Sequence, residues 1–149
     1  MKQMVFALEF RGRAEPVPGA EGKLRAKTSA NSQVLRTVLA LSGVEAALEP
    51  AAGGSATFES EVQITGEGTF VESGSIAYGT TGKVTFKTAG QGILGPSGIK
   101  DLQRGAVIWE VTGGEGQFAG TTGLIVSNFT VGPGGEVVDN HYARLFVPS

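Results

Sequence analysis

Alternation of large apolar and polar side chains along the chain predicts β-strands. Four large apolar residues near the N-terminus occupy every second position: Met4, Phe6, Leu8 and Phe10. Such spacing places all four on one face of a strand, with Glu9 and Arg11 on the other. A proline and glycine cluster at residues 16–19 ends this strand, because proline donates no hydrogen bond to a ladder.

Further strands are predicted after residue 56, at intervals set by glycine-rich turns. They span residues 57–65, 68–78, 83–88, 105–112, 124–131 and 136–147. Six short strands within about 90 residues are typical of an antiparallel sandwich or barrel. Hairpin turns are predicted at residues 79–82, 113–114 and 132–135, where glycine accepts the positive φ that tight turns require.

The pattern between the first strand and residue 57 is less regular. Residues 24–28 alternate as in a strand, whereas the apolar spacing over residues 34–39 suits either a strand or a helix. Ser42 and Glu45 have the spacing of a capping box, which predicts a short helical turn over residues 43–49. The small residues at 51–55 predict a loop.

Closure of the sheet is predicted from the strand count. About eight short strands leave exposed edges in an open sheet, and closing the sheet on itself removes those edges. We therefore predict a single all-β domain over residues 1–149, built as an eight-stranded antiparallel β-barrel. The interior of such a barrel holds packed side chains or one small ligand.

The outer surface of this barrel carries an unusual number of apolar residues. Both alternating faces are apolar over residues 106–111, and the same holds at 137–138 and 145–147. A face outside a barrel is expected to be polar unless something covers it. The pattern predicts a homo-oligomer, either a dimer or a trimer. The alternative is a helix or loop of the same chain folded across that face.

Composition and charge exclude several classes of function. Twelve basic and 14 acidic residues give a net charge of −2, so no broad cationic surface is expected for nucleic acid. The absence of cysteine excludes disulfides and thiolate sites. Apolar runs are shorter than the roughly 18 residues of a membrane helix, and Glu9 interrupts the run near the N-terminus. We expect a cytoplasmic protein with neither nucleic acid nor membrane as partner.

Residues 107–123 read VIWEVTGGEGQFAGTTG and resemble the strand–turn–strand signature of the allene oxide cyclase and dirigent β-barrels. In those families a hydrophobic strand enters a turn of the type T/V-G-G-x-G-x-F-x-G-A-x-G. The resemblance implies an allene oxide cyclase-like, calycin-type barrel that is commonly trimeric and holds an apolar small molecule. Allene oxide cyclases close a ring on a fatty-acid-derived epoxide, and dirigent proteins steer coupling or cyclisation of phenolic intermediates.

The same resemblance implies catalysis without a cofactor, of the isomerase or cyclase class. The pocket residues of those families lie outside the turn signature, so no catalytic residue is carried over. The glycines also outline a dinucleotide-binding fingerprint, with Gly114, Gly116 and Ala119 at the spaced positions. That fingerprint requires a following helix, whereas residues 124–126 predict a strand. Phe118 is predicted to anchor the turn from beneath.

Three residues are candidates for catalysis: Glu110, His141 and Arg144. His141 is the only histidine, so a multi-histidine metal site is excluded, and no metal site is predicted. Asp139 lies on the same strand face as His141 and offers either an acid/base pair or polar structure at the barrel rim. Glu110 lies beside Trp109 in the most apolar strand, where an unpaired carboxylate would cost several kcal/mol. It therefore requires a partner among Arg36, Arg104 and Arg144, and a structural ion pair is the alternative to catalysis.

Candidate ligand-binding residues are mostly aromatic, because flat apolar rings line pockets and the phenols orient a ligand. They are Tyr78, Phe86, Trp109, Asn128 and Tyr142. Ordinary core packing is the alternative for these rings. Glu59 and Glu61 share one strand face, which is either solvated or directed into the lumen with a raised carboxyl pKa.

The sequence therefore predicts a barrel that binds a small, largely apolar molecule and that belongs, if it is an enzyme, to the cofactor-free isomerases or cyclases. A lipocalin-like carrier without catalysis and a structural or interaction module remain alternatives. An empty lumen with inward polar groups favours the first two, and a close-packed interior favours the third.

Overall fold

The computed structural model describes residues 1–149 as a chain of nine β-strands. Their bounds are β1 Lys2–Pro16, β2 Lys23–Ala40, β3 Gly43–Gly66, β4 Thr69–Tyr78, β5 Gly82–Thr88, β6 Gly92–Pro96, β7 Gln103–Gly116, β8 Thr122–Val131 and β9 Glu136–Val147. The predicted all-β class is confirmed. No helix of the length and apolarity needed to cross a lipid bilayer is present.

The nine strands form one antiparallel sheet in the order β3-β2-β1-β9-β8-β7-β5-β4-β6. An additional pairing between β3 and β4 completes a ring of hydrogen bonds through eight strands. The ninth strand, β6, pairs with β4 at Thr69 and Phe70 and with β7 at residues 103–106. It therefore continues the position that β5 occupies between β4 and β7. The strand β6 was not predicted from the sequence, because it is short and itself contains two glycines and a proline.

Two predictions for residues 43–55 are wrong. Residues 43–49 form strand rather than a helical turn, and residues 51–55 lie inside β3 rather than in a loop. Leu41 and Ser42 form a tight turn, after which Gly43 adopts a φ of 124° and pairs with Ala40. The Ser42 hydroxyl does contact Glu45, but it does so within a hairpin. Pairing across this hairpin outweighs the local helix signal.

Beyond the ring, β2 and β3 continue as a two-stranded ribbon, which we call the arm (residues 33–50). Its residues pair only with one another, from Gln33 with Pro50 to Ala40 with Gly43. At its base the backbone N–H of Glu9 donates to Gln33 Oε1 over 2.6 Å, and a register shift between Asn31 and Gln33 marks its start. The arm thus departs from β1 at a defined point.

A layer of packed aromatic side chains crosses the interior enclosed by the eight strands. Its members are the buried side chains of Phe10, Phe58, Phe86, Trp109 and His141. The His141 ring stacks on Phe10 with centroids 4.2 Å apart, and the Trp109 centroid lies 4.5 Å from that of Phe86. This aromatic layer separates the two ends of the interior, because its rings pack against one another from opposite strands.

The end of the interior beyond the aromatic layer is closed by side chains. Tyr78 lies between Phe6 and Phe118, at centroid distances of 5.3 Å to each. Phe118 is buried beneath the β7–β8 connection, as predicted.

The predicted turn at residues 113–114 is wrong, because both glycines lie inside β7 and the chain turns at residues 117–120. A Cβ at Gly114 would lie 1.9 Å from the Phe118 carbonyl oxygen, so this strand must pass close to the turn.

The outer wall across β1, β7, β8 and β9 presents a group of exposed apolar side chains. We call it the outer apolar patch, formed by Val5, Ile108, Leu124, Val126, Tyr142 and Phe146. The register places its members in neighbouring rows, and no helix or loop of this chain covers them. The alternative of a helix or loop covering this face does not apply, and the predicted oligomer stays a prediction.

Candidate functional site

A cavity of about 450 Å³ occupies the other end of the interior. Its lining includes the end of β1 and the turn at residues 132–135, which are joined by a hydrogen bond from the Ala14 N–H to the Gly135 carbonyl oxygen, and the aromatic ring of Phe58. Most of its wall is apolar, with contributions from Leu24, Val62, Phe70, Leu94, Phe129 and Val137. Alternation along each strand directs these side chains inward.

Glu72 is a buried acidic residue in the wall of this cavity. Its side chain points inward from β4 and is only 9% exposed. Ser60 Oγ donates to Glu72 Oε2 over 2.5 Å, and Trp109 Nε1 donates to Oε1 over 3.1 Å. Burial raises the pKa of Glu72 to about 7, the Ser60 bond opposes this rise, and the nearby charge of Asp139 adds to it. Neither lysine nor arginine lines the cavity, so no cation stabilises the ionised form.

Asp139 is the second buried carboxyl of the cavity, held by two neighbours. Ser127 Oγ donates to Asp139 Oδ1 over 2.6 Å, and His141 Nε2 lies 2.9 Å from Oδ2. The other ring nitrogen of His141, Nδ1, is buried and has no hydrogen-bond partner. The His141 imidazole therefore holds the Asp139 carboxyl group in place, and that carboxyl group lines the cavity.

Thr28 supplies a third polar group to the cavity wall. Its side chain is 4% exposed, and its Oγ1 has no hydrogen-bond partner in the protein. A buried hydroxyl without a partner costs roughly 1–3 kcal/mol. A bound molecule that carries an oxygen or a nitrogen would supply the missing partner.

The structure does not bring the three predicted catalytic residues together. His141 is buried behind Asp139, whereas Glu110 and Arg144 are exposed on the outer face. The expected ion pair of Glu110 with an arginine is absent: its neighbours across the strands are Lys87 and Leu124. Arg144 donates instead to Gln3 Oε1 over 2.7 Å. Solvent, rather than a buried partner, satisfies the Glu110 carboxylate.

The predicted ligand-binding residues fall in three places. Phe86 and Trp109 belong to the aromatic layer, and Tyr78 lies beyond it, away from the cavity. Asn128 and Tyr142 are exposed on the outer face. Among these residues, Trp109 has a direct link to the cavity, through its hydrogen bond to Glu72.

The strand face that carries Glu59 and Glu61 is exposed to solvent and is not directed into the interior. Glu59 and Glu61 are exposed and pair with basic side chains of β2: Glu59 with Lys27, and Glu61 with Lys23 and Arg25.

Glu72 was not among the residues predicted from the sequence, although the sequence of β4 contains a signal for a buried acid. In β4 the large apolar residues Phe70, Ile76 and Tyr78 alternate, and Glu72 occupies the same face. A carboxylate in register with an apolar face is the pattern of a buried acid. For Ser127 and Thr28 no comparable signal exists, because hydroxyl residues occur on either face of a strand.

The raised pKa of Glu72 predicts a pH-dependent stability. Folding raises its pKa from 4.5 to about 7, so the folded protein keeps a proton that the unfolded chain releases within this window. The free energy of unfolding should therefore fall as pH rises from about 4.5 to 7, by about 3 kcal/mol from this group. The Glu72→Gln variant should lack this fall, as measured by urea unfolding at a series of pH values.

The matched control for this measurement is Glu59→Gln, which makes the same chemical change at an exposed carboxylate. Its curve should run parallel to that of the wild type. Parallel curves for the wild type and Glu72→Gln would show that Glu72 titrates normally.

Comparisons of this chain with protein-family models, with curated proteins and with solved structures give no match.

Proposed function

We propose that this chain is a β-barrel that binds a small, largely apolar molecule and isomerises or cyclises it without a cofactor. The observation that carries this proposal is the buried Glu72 in the wall of an apolar cavity, where burial raises its pKa to about 7. The ring of hydrogen bonds through eight strands supports the description as a barrel.

Binding is supported by the size and chemistry of the cavity. A volume of about 450 Å³ falls within the range of small-molecule sites. Such sites combine apolar walls with a few polar groups that orient the ligand, and here Thr28, Glu72 and Asp139 supply those groups. A filled interior, which the alternative of a structural module requires, is not what the structure has at this end.

Catalysis is supported by the protonation of Glu72. A carboxyl group with a pKa near 7 donates and accepts protons readily at neutral pH. Glu72 gives its proton to an oxygen or carbon of the bound molecule, and Asp139 removes a proton from a second position. Transfer of that proton back to Glu72 restores both groups, so the molecule is rearranged with no net gain or loss of atoms.

The free-energy cost of burying Glu72 without a neighbouring cation favours an enzyme over a carrier. Burial of Glu72 beside Asp139 without a cation opposes ionisation and lowers stability at neutral pH. A carrier needs only the apolar wall and gains nothing from such a pair, whereas perturbed acids are common in active sites. The resemblance of residues 107–123 to allene oxide cyclases and dirigent proteins implies the same class of chemistry.

Filling the cavity tests ligand binding. Ala14 lines the cavity mouth and is half-buried, so Ala14→Phe should place a ring in the opening with little disturbance of the core. We expect at least a tenfold loss of affinity for the neutral apolar dye Nile red, measured by fluorescence titration.

The control is Ala77→Phe, the same change at a half-buried alanine of β4 that does not line the cavity. It should bind the dye as the wild type does. Equal loss in both variants, or no dye binding by the wild type, would contradict the proposed site.

A further inference from the structure

The arm is amphipathic, and its apolar face is exposed. The register pairs Leu35 with Leu48 and Leu39 with Val44 on one face. Leu39 is 82% exposed and Val44 is 70% exposed. Exposure of large apolar side chains on a projecting element marks an interaction surface.

The opposite face of the arm combines charged residues with Val34 and Val38. Arg36 Nε lies 3.2 Å from Glu49 Oε1, and Glu45 forms no salt bridge. The arm therefore carries a net negative charge. An isolated two-stranded ribbon is marginally stable in water unless its apolar face packs against another surface.

The outer apolar patch offers a surface of complementary charge. Arg144 lies between Val5 and Leu124 in the register and has no carboxylate partner. Lys87 lies on the same outer wall, directly opposite Glu110 in the register, and forms no salt bridge, so Arg144 leaves this wall with a net positive charge. An apolar centre with opposite charge around it fits the arm.

We propose that the arm of one copy packs on the outer apolar patch of a second copy of this chain. Every copy brings both surfaces, so two copies can exchange arms around a twofold axis. A stable interface takes about 20–30 residues from each partner. Reciprocal exchange reaches that size, because each copy contributes both the arm (residues 33–50) and the patch with its surroundings.

Charge favours a second copy over a lipid surface. Segments that bind anionic membranes carry several lysines or arginines. The arm has one, Arg36, which is already paired with Glu49. The inference is independent of the proposed function, because neither surface lines the cavity.

Self-association of the full chain tests this proposal. In sedimentation velocity over a range of concentrations, the wild type should form a reversible oligomer. The double variant Leu39→Ser with Val44→Ser should weaken association about 100-fold, because two apolar side chains lose their burial. A comparable loss is expected for Leu124→Ser with Val126→Ser in the patch.

The matched control is Val34→Ser with Val38→Ser, which makes two apolar-to-polar changes on the opposite face of the arm. It should associate as the wild type does. A wild-type monomer at all concentrations would overturn the proposal, as would an oligomer that either test variant leaves intact. A monomer that sediments with phosphatidylcholine–phosphatidylserine vesicles would show a membrane contact instead.

Discussion

Replacing Glu72 with glutamine is expected to slow conversion of the bound molecule by about 10²- to 10⁴-fold, the usual contribution of a general acid or base. Glutamine keeps the shape of the neutral carboxyl and can still accept from Trp109 and donate to Ser60. The cavity and its affinity for ligands should therefore survive, while the transferable proton is lost. A selective loss of turnover is the expected signature of Glu72 as proton donor.

The measurement uses the molecules that purify with the protein. An isomerase leaves mass unchanged, so the small molecules released from wild type and Glu72→Gln must be separated by chromatography rather than by mass alone. We expect the variant to retain an isomer that added wild-type protein converts. Glu59→Gln, which alters an exposed carboxylate, should behave as the wild type does.

Two outcomes would contradict the catalytic role of Glu72. If wild type and Glu72→Gln release the same molecule and neither protein alters it, the chain is a carrier. If Glu72→Gln converts the molecule at the wild-type rate while Glu110→Gln does not, the reaction takes place elsewhere, at the residue that the sequence alone favoured.

Truncation of Trp109 to alanine is expected to lower the free energy of unfolding by about 3–5 kcal/mol. Its ring lies 5.2 Å from Phe58 and 4.9 Å from His141 between centroids, and it is 1% exposed. Removal would open a hole at the centre of the aromatic layer, which the strands around it cannot close. Urea unfolding monitored by circular dichroism would give the change.

The Trp109→Phe variant separates packing from hydrogen bonding. Phenylalanine retains most of the ring but loses the indole N–H that donates to Glu72. The cost should be about 1–2 kcal/mol, well below that of alanine. A loss of under about 1 kcal/mol in Trp109→Ala would show that the aromatic layer does not hold the interior together.

Strand positions in the ring could be predicted from the sequence, because period-two alternation is a local property. The strand predicted over residues 136–147, which follows the glycine-rich turn at residues 132–135, has the observed bounds of β9. The arm escaped prediction, since its strand character comes from pairing between Leu35 and Leu48 or Leu39 and Val44 rather than from local preference. Such pairings depend on a turn that the capping-box spacing at Ser42 obscured.

The site was harder to predict because alternation does not say which face is inward. In β7 both faces are apolar, so Glu110 could be assigned to a dry position although it lies in water. In β4 the apolar partners of Glu72 do reveal its direction. Glu72 and Asp139 line the same cavity because of the way the ring of strands closes, and no short segment of sequence encodes that closure.

The aromatic layer closes the cavity at one of its two ends. Because Phe58 and its neighbours block the passage towards Tyr78, a molecule bound in the cavity would have to enter and leave at the same end of the interior, where residues 132–135 line the cavity. One bound molecule would then have to dissociate before the next could bind, and the conformation of the turn at residues 132–135 would influence the rate of that exchange.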